Sequence, residues 1–159
     1  MGSLSKINLA YIAGFLDGDG SLMLQIKKRK DGKLKKRFMT TICFYQNTRH
    51  EKSLYWIRKV FGIGYISRRN DGMTELRVNG YKQVRDILKI LLPYVKFKRV
   101  QTLALYKAAK LLSRVSLRRL DKKQLVLLTN LILKIQNENY ASRTKKTKKE
   151  LFKILDITP

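Results

Sequence analysis

Two stretches of alternating apolar and polar residues, each turning back on itself at an Asp-Gly pair and each flanked by helical repeats, constrain this chain most. Over 21–28, Leu22, Leu24 and Ile26 point one way and Met23, Gln25 and Lys27 the other, with Arg29 just beyond on the second side. A period of two is that of a strand with one buried face. Asp31-Gly32 supplies a hairpin turn, and the alternation resumes over 38–45 with Phe38, Ile42 and Phe44 inward. A second hairpin is predicted from 65–69 and 73–79 around Asn70-Asp71-Gly72. Apolar residues at helical spacing predict helices over 8–16, 51–61 and 81–92, the last ended by Pro93. Further helices are expected over 100–112, 122–137 and 147–155. No Pro/Gly/Ser-rich linker interrupts the chain. The expectation is one α+β domain over 1–159, with a four-stranded antiparallel sheet in a core at 8–92 and a helical C-terminal region at 100–159.

Charge narrows the possible partners. The chain has 36 Lys and Arg against 11 Asp and Glu, a formal net charge of +25. Self-repulsion on that scale opposes compactness, which points to a polyanionic partner, nucleic acid first. The basic residues concentrate on the first hairpin, where Lys27 to Arg37 hold eight of them and one acid, Asp31. A two-stranded ribbon fits the major groove of double-stranded DNA, where Arg and Lys pair with guanine and Gln with adenine. The outward positions Gln25, Lys27, Arg29, Arg37, Tyr65, Arg69, Glu75 and Arg77 are therefore candidate DNA contacts. A membrane partner is not expected: the apolar run at 125–135 is broken by Thr129, Asn130 and Lys134 and is too short to span a bilayer. No stretch reads as a signal peptide, and Lys6 stands where an acylation signal at Gly2 needs Ser or Thr. Cys43 is the single cysteine, which excludes a disulfide or a cysteine zinc cluster within the chain and suits a reducing compartment.

The segment Leu9-Ala10-Tyr11-Ile12-Ala13-Gly14-Phe15-Leu16-Asp17-Gly18-Asp19-Gly20 carries more specific information. Ala10, Gly14 and Gly18 recur every four residues, so small side chains stack on one helical face. Two such helices can approach closely across a two-fold axis. A dimer surface is expected at Ala10, Tyr11, Gly14, Asp17 and Gly18. Asp17 and Asp19 fall at the helix C-terminus, where the macrodipole is already negative and a carboxylate costs about 0.3–1 kcal/mol. A hard cation would offset that cost, and oxygen ligands with retained waters suit Mg²⁺. A calcium loop starting at Asp17 fails, because its sixth position is Leu22 where Gly is needed and its twelfth is Lys28 where Glu is needed. Simple turn residues after a core helix remain the alternative for these acids.

Ile12 to Gly20 resembles the LAGLIDADG motif of the homing endonucleases, and the element order over 8–92 matches the αββαββα core of that family. The chain looks like its single-motif homodimeric subclass, encoded by organellar group I introns. The resemblance implies a site-specific endonuclease making a metal-dependent double-strand break in a long pseudo-palindromic target and leaving 3′ overhangs. It assigns metal binding to Asp19 and to the backbone carbonyl of Gly18, water ordering to Gln46, and a phosphate-adjacent basic group to Lys98, within a 93–101 segment similar to the subclass's active-site lysine segment. The subclass often carries Arg four residues after the glutamine. Here that position is His50, preceded by Arg49, and either could assist. The tail at 142–147 resembles a phosphate-contacting segment, which makes Arg143, Lys146 and Thr147 candidate backbone contacts. Mg²⁺ is the implied cofactor, with Mn²⁺ able to substitute and Ca²⁺ binding without cleavage. One motif supplies one Asp19 whereas cutting two strands needs two, so a homodimer on half-sites about one helical turn apart is expected. The implied setting is a chloroplast or mitochondrion, without excluding a prokaryote. An intron RNA maturase or a non-catalytic DNA-binding protein on the same fold is the rival, and the acid at Asp19 favours the enzyme because binding alone does not need it.

Overall fold

The computed structural model describes residues 4–139 and 144–158. Its element order is α1 (Lys6–Asp19), β1 (Gly20–Lys28), β2 (Lys36–Asn47), α2 (Lys52–Phe61), β3 (Tyr65–Arg68), β4 (Met73–Asn79), α3 (Tyr81–Leu91), α4 (Arg99–Leu112), α5 (Lys122–Glu138) and α6 (Lys148–Ile154). The expected α+β architecture and both hairpins are present. The strands form one antiparallel sheet in the order β1-β2-β4-β3, so β2 and β4 are interior and β1 and β3 are edges.

Register follows from the hydrophobic pattern. Leu22 pairs with Ile42 and Ile26 with Phe38 across β1 and β2, while Ile42 pairs with Val78 and Phe44 with Leu76 across β2 and β4. Paired residues share a face, so these side chains together form the floor of the core. A slip of one residue would turn the whole set to solvent. The helices cover this face, with Ile12, Leu16, Leu54, Ile57, Leu88 and Leu105 fully buried against it. The opposite face carries Lys27 across from Arg37, Gln25 across from Met39, and Tyr65 across from Arg77. At Gly32 and Gly72 φ is +88° and +78°, the left-handed turn conformation expected of the two Asp-Gly pairs.

Several elements run beyond their expected bounds. Strand β2 covers 36–47 because it has neighbours on both sides: β1 holds it from Lys36, and β4 pairs as far as Asn47. Helix α5 gains its final residue, Glu138. Helix α1 continues through Asp17, Gly18 and Asp19 and stops at Gly20, whose N–H donates to the Leu16 carbonyl. Glycine is required there by space: a Cβ would lie 2.5 Å from Leu16 Cδ1 and 2.7 Å from the Leu16 backbone oxygen. The C-terminal region folds back on the sheet, with α5 beside β1. Lys36 Nζ then ties the first hairpin to the chain end by donating to the Ile154 carbonyl at 2.8 Å and to Asp156 at 2.7 Å.

Gly20→Ala is expected to destabilise the domain by about 1–3 kcal/mol, because the new methyl meets backbone that cannot step aside. Urea unfolding of the two proteins measures this, and an unchanged midpoint would contradict the close approach.

Candidate nucleic-acid interface and metal site

The last turn of α1 presents carbonyls that, apart from that of Leu16, which accepts from the Gly20 N–H, the helix itself does not satisfy. Lys98, which precedes α4, satisfies them. Its Nζ donates to the carbonyls of Leu16 at 2.9 Å, Asp17 at 2.8 Å and Gly18 at 3.4 Å. A cation at this position also complements the negative end of the macrodipole. The 96–98 segment is fixed in turn by Asp17, whose Oδ2 accepts from the Lys96 N–H at 2.7 Å and whose Oδ1 accepts from the Lys98 N–H at 2.9 Å. Asp17 was expected at a dimer surface. Within the chain both of its oxygens are engaged, and they seat the lysine. Nothing local in the sequence signals this, because the partners lie 79 and 81 residues away.

Asp19 is different. It is exposed and makes no hydrogen bond or ion pair among the described residues. Partial burial pushes the Lys98 ammonium below the usual lysine range, while the charges of Asp17 and Asp19 pull it back up. A free carboxylate, the Gly18 carbonyl and a cation thus converge on one helix end. The two oxygens are hard donors of the kind Mg²⁺ takes alongside retained waters. Among the described residues no three acidic, His or Cys side chains gather into a metal cluster. One chain therefore offers part of a coordination sphere.

Gln46 lies near the end of β2, two residues past Phe44, the partner of Gly20, and so beyond the start of β1. Its Oε1 accepts from the Asn47 N–H at 2.8 Å. Arg49 and His50 are exposed on a short 3₁₀ turn before α2.

A groove of about 760 Å³ links this helix end to the sheet, with Gly18, Lys98, Met23, Gln25 and Tyr45 along its walls and the end of α5 closing one side. Gln101, one turn beyond Lys98 on α4, also lines it. Only 5% of Gln101 is exposed, and its Oε1 has no partner. An unpaired acceptor in that position suits an ordered water. The sequence offered no signal for it beyond its spacing from Lys98.

The candidate DNA contacts divide by their internal commitments. Lys27 and Arg37 are exposed and make no ion pair among the described residues. Arg29 lies 3.8 Å from Asp31, and Arg69 pairs with Asp71 at 2.8 Å, both at exposed sites where such pairs are weak. Tyr65 is exposed on the same face. Glu75 departs from expectation: it occupies the predicted face but is 7% exposed and bound to Arg77. In the C-terminal segment, Gln136 grips the Lys146 backbone through its N–H at 3.0 Å and its carbonyl at 3.1 Å. Thr147 caps α6 by accepting from the Glu150 N–H. Arg143 lies outside the described residues.

One face of α1 is left largely open by the described residues, apart from an edge-on contact between the Tyr11 and Trp56 rings at 5.6 Å. Ile7 is 82% and Tyr11 66% exposed, and Ala10, Gly14 and Gly18 lie open beside them. Nothing stands within 4 Å of a Cβ built on Gly14 or Gly18. No described helix is long and apolar enough to cross a membrane.

Comparison with known proteins bears on this geometry. A family model described as LAGLIDADG endonuclease matches residues 12–112. The DNA endonuclease I-CvuI of Chlorella vulgaris is 38% identical over 96 residues, covering 60% of this chain and 60% of its own length. The DNA endonuclease I-CreI of Chlamydomonas reinhardtii is 32% identical over 97 residues, 61% of this chain and 59% of its own length. The aligned stretch thus spans about 60% of these curated relatives. A crystal structure of I-CvuI on the I-CreI target with Mg, its DNA not cleaved, superposes with a TM-score of 0.78 at 27% identity, covering 95% of this chain and 94% of that one. The archaeal intron-encoded homing endonuclease I-Vdi141I, solved with DNA, shares the fold at a TM-score of 0.79 and 21% identity, over 94% and 95% of the two chains.

Asp17→Asn keeps shape but removes one of two anionic acceptors. It is expected to cost about 1.5–3 kcal/mol of stability and to speed hydrogen exchange at the Lys96 and Lys98 amides. Protection at those amides equal to the parent's would show that Asp17 does not seat the lysine.

Proposed function

From membership of the LAGLIDADG endonuclease family, to which this chain belongs, we propose that the protein is a site-specific homing endonuclease. It makes a double-strand break in a long pseudo-palindromic DNA target as a homodimer and leaves 3′ overhangs. The observation that carries this reading is the free carboxylate of Asp19 beside Lys98, at the root of a basic sheet. A DNA-binding scaffold without chemistry has no use for an unpaired acid facing a polyanion, since repulsion there weakens binding.

Asp19 and the Gly18 carbonyl are the residues that would hold a divalent cation. Mg²⁺ is the proposed ion, with Mn²⁺ able to replace it and Ca²⁺ held without cleavage; an I-CvuI structure on its target was obtained with Ca. When bound, such a cation neutralises phosphate charge and makes water more acidic. The chain supplies the remaining functions. Lys98 is already anchored by three carbonyls, so its ammonium needs no reorganisation to stabilise charge building on the scissile phosphate. Gln46 orients water at the same end, with Arg49 or His50 in support. Gln25, Lys27, Arg29, Arg37, Tyr65 and Arg69 face the bases and the adjoining backbone. Lys146 and Thr147, with Arg143, hold phosphates and fix register.

The glycine stripe supports the homodimer. Glycine inside a helix costs about 0.5–1 kcal/mol relative to alanine, and no atom of the described residues stands close enough to require Gly14 or Gly18. A second copy of α1 packed against that face would require both, would cover Ile7 and Tyr11, and would bring a second Asp19 to the cation site. Synthesis within a chloroplast or mitochondrion is the proposed setting.

Asp19→Asn is expected to cut cleavage by at least about a hundredfold while leaving DNA affinity nearly intact, as read by a plasmid cleavage assay and a binding titration in parallel. Cleavage at the parental rate would remove Asp19 from the chemistry. Gly14→Leu is expected to leave the chain folded but monomeric by analytical ultracentrifugation, with cleavage of both strands lost. A dimeric Gly14→Leu protein would place the interface elsewhere. Affinity should fall with salt at a slope of about −0.9 in log K against log salt per phosphate neutralised.

A further inference from the structure

Strand β4 is interior, and its outward side chains occupy the middle of the face proposed to meet DNA. Two of them bear opposite charges two residues apart. Arg77 Nε donates to Glu75 Oε1 at 2.7 Å, and Arg77 Nη2 donates to Glu75 Oε2 at 3.2 Å. This is a bidentate pair along one edge of the guanidinium. The carboxylate is the buried member: the Glu75 side chain is 9% exposed and that of Arg77 29%. Cys43 and Tyr65 flank Arg77 across the sheet, and Tyr45 and Ser67 flank Glu75.

The surroundings add one weak donor to the pair, the Cys43 thiol. Burial pushes the Cys43 thiol up to about 11, so it stays neutral and does not compete for the guanidinium. Its Sγ donates weakly to Glu75 Oε2 at 4.0 Å, adding to the Arg77 contacts rather than replacing them. The hydrogen bonds that Arg77 donates to Glu75 hold it above even the ordinary arginine range, so its charge is permanent.

Guanidinium geometry then dictates what remains. Five N–H groups lie in one plane. Glu75 occupies the edge formed by Nε and Nη2. Among the described residues the edge formed by Nη1 and Nη2 has no other partner, and its two parallel N–H donors point away from the carboxylate. Two parallel donors match the O6 and N7 acceptors of guanine in the major groove. A carboxylate that read a base directly would accept from a cytosine or adenine amino group, but Glu75 has both oxygens engaged and is too deep to reach one.

We propose that Arg77 reads a guanine in each half-site and that Glu75 is a positioning residue, reading no base and serving to aim the free edge of Arg77. This rests on the reading of the sheet as a DNA-binding face. It differs from the sequence expectation, in which Glu75 and Arg77 were two separate contacts.

Selection of bound duplexes from a library of randomised targets tests it, using the intact chain and the variants Glu75→Gln, Arg77→Gln and the double substitution. Arg77→Gln should lose guanine preference at one position per half-site by roughly tenfold to a hundredfold. Glu75→Gln should lose preference at that same position and at no other. The double variant should be no worse than Arg77→Gln alone, because the two residues act as one unit. A Glu75→Gln profile identical to the parent's, or changed at a different base pair, overturns the assignment. So does an Arg77→Gln protein that binds all sequences equally less well, which would make Arg77 a phosphate contact. Thermal unfolding of each variant accompanies the selection; should Glu75→Gln unfold, Glu75→Met with Arg77→Leu restores an apolar pair, and its selection must show the same single-position loss. A parent chain that selects no site sinks the endonuclease reading and this assignment together, whereas a selective parent with an unaffected Glu75→Gln sinks this assignment alone.

Discussion

The interlock between Lys98 and the end of α1 is the constraint on which the rest depends. A helix that ends in Asp-Gly-Asp places two negative charges where its own carbonyls already concentrate negative potential. Left alone, such an end would fray. Here Lys98 accepts the position of a C-terminal cap, and Asp17 returns the favour by binding the amides of the segment that carries Lys98. The result joins the first helix to the segment before the fourth through five hydrogen bonds. It also sorts the two acids: Asp17 is consumed by structure, and Asp19 remains available.

That sorting explains how one short motif can serve both packing and chemistry. Leu9, Ile12, Ala13 and Leu16 face the core, Asp17 turns to the 96–98 segment, and Gly14 and Gly18 lie open on the far side. Three faces of one helix thus have three environments. Because Gly20 stops the helix and opens β1 directly, the end that carries Asp19 is rigidly connected to the strand that carries Gln25 and Lys27. Distance between chemistry and recognition is then fixed by backbone rather than by a loop, which is what a site-specific enzyme needs.

Electrostatics follow the same economy. Among the described residues only six ion pairs form, and most sit at the surface, where they contribute little. The many unpaired cations are a liability for the isolated fold and an asset against a polyanion. Glu75 is the exception, a carboxylate kept nearly dry on an otherwise basic face. Burial of that kind persists only when the partner's geometry is tightly held.

The sequence by itself determined the sheet, its two turns, the inward face of the first hairpin and the identity of the motif. These depend on local periodicity and on glycine's freedom at positive φ, both written in consecutive residues. Alternation also set which side of the sheet the basic strand positions occupy, whereas Asp19 and Lys98 were singled out by the likeness of their segments to the family. Only the tertiary structure decided which charged groups are free. Asp17 meets amides about eighty residues away, Gln101 is left with an unpaired acceptor, and Glu75 is buried against Arg77. A charge's availability depends on what the fold brings beside it and on how much water is excluded there, and neither quantity has a local signature in the chain.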